Sequence, residues 1–251
     1  MLKTLLALHI IGGSAALLSM VIPMLTKKGG RAHRRAGWVF VGGMTLVAIT
    51  ALILSAWRFF FDARPAVRSG ALFLFYVAIL TAAGVSTGVR VLRVRRGPAA
   101  TPRFRPEPAW WDLGISALLV ATSIGMAAYG LTAQAPLFAA FSVIGFLSGG
   151  GQLAYWLRTP THHMHWWFEH MGSMLGSCIA ATTAFLVVNA ERFGAADGSL
   201  LVWLAPTIVG TPMIAVWTAY YRRKFATSAA TRPGTSISAP AAVPYTPART
   251  S

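Results

Sequence analysis

Four of the six histidines fall within nine residues, His162, His163, His165 and His170, where a basic loop runs into a long apolar stretch. Imidazole binds metals, carries protons and titrates near neutral pH. At about 100° per residue, a helix that began before His162 would align His162, His165 and Glu169 on one face. His163 and His170 would form a second stripe. Two imidazoles and a carboxylate suit Zn²⁺ or Fe²⁺. The order is HxxHxxxE rather than HExxH, and Pro160 favours leaving the first histidines outside the helix. The alternative for His162, His163 and His165 is a belt of amphipathic rings at the membrane surface, shared with Trp166 and Trp167.

His170 differs because it enters the apolar run, where an ionisable group is costly and so a candidate for function. The same argument selects His9, Glu169 and Gln152. His33 lies in a basic loop, Lys27-Lys28-Gly29-Gly30-Arg31-Ala32-His33-Arg34-Arg35, on the same expected side as His170. The expectation is one inner-face site where His33 and His170 meet, with Glu169 or Gln152, and a separate outer site at His9. Candidate ligand-binding or proton-handling residues are therefore His9, His33, His170, Glu169 and Gln152. Candidate metal ligands are His33, His165 and His170. Haem is the alternative cofactor. It needs two imidazoles at one depth, which His9 near the outer face and His170 near the inner face do not supply; only His33 with a histidine of the 162–170 cluster could. No CxxCH attachment motif is present.

The elements that must hold these residues follow from composition. Of 251 residues, 55% are hydrophobic and 11% charged, against about 25% charged in a soluble domain. The apolar residues come in blocks of roughly 20, enough to cross about 30 Å of hydrocarbon. Seven such blocks are expected, near Leu5–Leu25, Trp38–Trp57, Ala71–Leu92, Asp112–Leu131, Pro136–Leu157, Trp167–Asn189 and Leu200–Tyr221. The fold class is all-α, a polytopic membrane helix bundle. Residues 226–251 are rich in Ala, Ser, Thr and Pro and read as a disordered cytoplasmic tail. The first apolar run is too long for a cleavable signal, and its basic cluster follows rather than precedes it.

The net charge is +16, but its placement argues against nucleic-acid binding. Of 22 Lys and Arg, 17 lie in the first, third and fifth loops and the C-terminal segment. By the positive-inside rule that side is cytoplasmic, with the N-terminus outside. The expected partners are the lipid bilayer and anionic headgroups at the basic loops. Gly84 and Gly88, like Gly172 and Gly176, have GxxxG spacing that suits close helix contact. Packing within the bundle is the expectation, with homo- or hetero-oligomerisation as the alternative. Pro206 and Pro212 suggest a bend in the last helix.

Two stretches resemble a known group. Leu8-His9-Ile10-Ile11-Gly12-Gly13-Ser14 with Lys27 to Gly37, and His170-Met171-Gly172-Ser173-Met174 with Thr183 to Asn189, resemble the bacterial membrane proteins of domain-of-unknown-function family 2306. The resemblance extends over residues 1–225. It implies a multi-pass membrane protein and no activity; the reading of the whole sequence is a multi-pass protein of the bacterial cell inner membrane. It singles out His9, His33 and His170.

Enzyme status stays open. No Ser, Cys and His arrangement has a nucleophile's spacing, and six carboxylates leave little for acid–base work. No filter motif suggests a channel, and no matched pair of broken helices a transporter. The leading functional reading is handling of a metal ion, proton or small ligand. Its alternatives are a b-type haem subunit and a structural or interaction subunit.

Overall fold

Backbone that crosses a bilayer must satisfy its own N–H and C=O groups, and a single chain segment does so only as a helix. The computed structural model describes residues 1–94, 108–158, 164–194 and 199–230. They form α1 (Leu2–Leu25), α2 (Arg31–Phe61), α3 (Pro65–Val94), α4 (Trp110–Thr132), α5 (Pro136–Leu157), α6 (His165–Val188) and α7 (Leu200–Ala230). A single 3₁₀ turn, Glu191–Phe193, follows α6. All seven α-helices are long and apolar enough to cross a membrane. No strand occurs among the described residues. The chain is an all-α, multi-pass membrane protein.

The unit Met1–Ile214 is organised around α3, which packs against α2, α4, α5 and α6. Helix α1 packs on α2 and α6, and α4 on α5. Without a hydrophobic force between helices in lipid, close approach depends on small side chains. Gly12 and Gly43 supply it for α1 and α2. A Cβ added at Gly43 would meet the Gly12 carbonyl oxygen at 2.6 Å. Gly84 and Gly88 do the same for α3 against Ser173, Met174 and Ser177 of α6. That pair packs inside the bundle. Gly172 and Gly176 meet nothing within 4 Å.

Tyr76 ties three helices together. Its hydroxyl shares a 3.0 Å hydrogen bond with Ser123 of α4 and donates to the Phe141 carbonyl of α5 at 2.9 Å. Gly145 leaves room for that hydroxyl. Around it Phe73, Phe138, Phe141 and Leu119 form the main apolar core, and Trp203 of α7 packs its ring on Phe73 at 5.2 Å.

Two boundaries differ from the sequence expectation. Helix α2 begins at Arg31, so His33 lies in its first turn and not in a loop. Gly30 caps that turn, and the repeated Ala and Arg that follow favour helix. Helix α7 continues to Ala230, past the expected edge of the tail at 226. Residues 231–251 lie outside the described residues. Pro206 and Pro212 sit inside α7 without interrupting it. In the second unit, from Ala215, Lys224 Nζ lies 6.0 and 5.9 Å from the ring centres of Tyr220 and Tyr221.

Candidate functional site

Helix α1 ends at Leu25, which leaves its last carbonyls without helical partners. Lys28 closes that end. Its Nζ donates to the Pro23 and Met24 carbonyls at 2.8 and 2.7 Å. Burial pushes its ammonium below the ordinary lysine value. His33, from the first turn of α2, donates Nδ1–H to the same Pro23 carbonyl at 3.1 Å. Across the site, His170 of α6 donates Nδ1–H to the Gly88 carbonyl of α3 at 2.8 Å. The two imidazole rings approach edge-on, with centres 6.4 Å apart and planes at 64°.

A carbonyl can only accept, so in both rings Nδ1 carries a proton. In the neutral imidazole Nε2 then holds the lone pair. This is the arrangement in which a backbone carbonyl orients a metal-ligating histidine. Gly88 faces Ser173 and Met174, so the close α3–α6 contact also brings its carbonyl within reach of His170.

The other candidates are distributed differently. His165 opens α6 and shares a 3.0 Å hydrogen bond with Tyr155 of α5. Tyr155 also lies within electrostatic reach of Glu169. Tyr155 and His165 thus link α5 to the start of α6, one turn before Glu169. Gln152 is buried, and its Oε1 accepts from the Ser116 hydroxyl at 3.2 Å. His9 is paired with Thr50: Thr50 donates to the Leu46 carbonyl at 2.7 Å, so it accepts from His9 Nδ1–H at 2.9 Å. Pro23 lies fourteen positions beyond His9 on α1, about 21 Å at 1.5 Å per residue. His9 therefore cannot join a site at His33. His162 and His163 lie outside the described residues. Among the described residues no three His, Cys, Asp or Glu side chains are grouped to hold one metal ion. His33, His165 and His170 do not form such a trio.

One polar pair was not among the candidates. Arg90 of α3 donates through Nε to both carboxylate oxygens of Asp112, at 3.2 and 3.0 Å. Asp112 also accepts from the Ala109 backbone N–H at 2.9 Å, closing the start of α4. Asp112 is 5% exposed. Arg90 counted as a loop cation in the sequence. The available signal was Asp112 itself, one of six carboxylates, standing at the first turn of an apolar run.

The chain matches no family model, no curated protein and no solved structure.

Proposed function

We propose that this is a protein of the bacterial inner membrane, N-terminus outside and C-terminus cytoplasmic, that binds a transition-metal ion at His33 and His170. The observation that carries the reading is the pair itself: two imidazoles from distant helices, 6.4 Å apart, each with Nδ1–H held by a backbone carbonyl. The charge distribution supports the orientation. The motifs around His9, His33 and His170 support a place in family 2306.

The surroundings bear on the form of the metal. The segment that carries His33 also carries Lys27, Lys28, Arg31, Arg34 and Arg35. A bare divalent cation there meets repulsion, whereas an ion that brings anionic ligands does not. The ring spacing favours a second reading, b-type haem. His33 and His170, with ring centres 6.4 Å apart, would both ligate the iron through Nε2, and the group would supply one-electron chemistry there. The haem carboxylates would then pair with Lys and Arg of this segment.

One experiment tests both. Full-length protein, purified after expression with metals and haem precursor supplied, is examined by elemental analysis and absorbance. About one metal ion per chain is expected, lost in both His33→Ala and His170→Ala and retained in His9→Ala. A Soret band with the same mutational pattern selects haem. Metal-free wild-type protein overturns both readings.

A further inference from the structure

A cavity of about 490 Å³ opens between α2, α3 and α4, and neither His33 nor His170 lines it. Its walls are apolar: Val41, Met44, Ala48, Ile49, Leu52 and Val85 among them. One end is polar, with Arg90, Arg93, Trp111 and Asp112. We propose that this groove binds an anionic phospholipid, one acyl chain lying between the helices and the headgroup on Arg93.

Three observations support that occupant. The first is length. On α3 the lining runs from Ala82 to Arg93 and on α2 from Val41 to Leu52. Each is a rise of about 16 Å at 1.5 Å per residue, close to one leaflet, half of roughly 30 Å of hydrocarbon. The second is depth. Trp110 and Trp111 are 80% and 52% exposed at the polar end, and exposed tryptophans mark the headgroup level. The guanidinium of Arg90 lies 5.8 Å from the Trp111 ring centre.

The third observation is charge. Arg90 is already engaged by Asp112. Arg93, one helical turn further on, is exposed and has no carboxylate partner among the described residues. It therefore places a cation at the depth where a lipid phosphate would lie. An apolar groove alone would take any acyl chain. Arg93 makes the site selective for a negative headgroup.

The test uses the full chain in detergent, with thermal stability followed against phosphatidylglycerol, phosphatidylcholine of the same chains, and inorganic phosphate. Phosphatidylglycerol is expected to raise Tm with saturation near one lipid per chain, and the other two to have little effect. Arg93→Gln should weaken the response about fivefold, the effect of one basic residue at a charged surface. Ser86→Trp, which fills the groove from an exposed position on α3, should remove it. Lys3→Gln, at the opposite end of the bundle, should leave it unchanged. Equal responses to the two lipids, an unaltered response in Arg93→Gln, or equal protection by phosphate would each overturn the proposal. If Ser86→Trp does not fold, the Arg93→Gln comparison decides.

Discussion

At the scale of single residues, the ion pairs divide by burial. Breaking a buried pair strands a charge, while an exposed pair contributes little. Arg90–Asp112 is the buried case, with side chains 25% and 5% exposed. Asp112→Ala is expected to destabilise the protein by about 3 kcal/mol, the low end for a broken buried pair because Arg90 keeps partial exposure. It also frees the Ala109 N–H at the start of α4. The double variant Arg90→Met with Asp112→Leu should recover most of the loss. Unfolding of the three variants in detergent measures both values, and a double variant no better than Asp112→Ala would contradict the account.

Asp62 and Arg64, in the turn between α2 and α3, are the exposed case. Hydrogen bonds from the Arg64 side chain and backbone, with its charge, hold the Asp62 carboxyl down at about 2. A carboxyl depressed in the folded state adds stability above its unfolded value and loses it as pH falls toward 2. The contribution of this pair is therefore constant near neutral pH and is lost only as pH falls from about 3.9 toward 2. A carboxylate resonance titrating near 2, moving toward about 3.9 in Arg64→Ala, is the expected result.

At the scale of helices, glycine positions decide which pairs can touch. Gly43 sits against the Gly12 carbonyl and Ala16, so Gly43→Ala must push α1 from α2. The expected cost is about 1–3 kcal/mol, as for overpacking in a well-packed core. Gly42→Ala, whose Cβ meets nothing within 4 Å, should cost none of it. Comparing the two unfolding midpoints isolates the contact, since helix propensity favours alanine equally at both positions. A shared midpoint would show that α1 and α2 do not depend on this approach.

The helices themselves were legible because each apolar block is long enough to allow one conformation only. Their ends were less so. The expected start of the second span at Trp38 missed Arg31–Gly37, since charge marks where hydrocarbon ends but not where a helix ends. The pairing of His33 with His170 was legible through topology, which put both at one end. The partners of His165 and Glu169 were not. Tyr155 comes from α5, and no sequence spacing relates a residue near the end of one helix to the start of the next across a basic loop. Asp112 and Arg90 escaped notice for a similar reason: they meet only because α3 and α4 run antiparallel.

At the scale of the whole molecule, the described residues form seven helices able to cross a membrane, an odd number, so the two termini lie on opposite faces if each helix crosses. Which face is which then depends on charge. Lys27, Lys28, Arg31, Arg34 and Arg35 lie at one junction, whereas the junction between α2 and α3 carries Arg58, Arg64 and Arg68 around a single Asp62. Retention of the more basic junction in the cytoplasm predicts a cytoplasmic C-terminus. A fluorescent protein fused after Ser251 should fluoresce, and alkaline phosphatase at the same place should be inactive. Phosphatase inserted beside Asp62 should be active. Replacing the five cations of the first junction with glutamine should produce a mixed population, because the remaining loops still favour the original orientation. Active phosphatase at the C-terminus of the unaltered chain would reverse the assignment. The His33–His170 pair would then face the periplasm, with its geometry unchanged and its metal supply different.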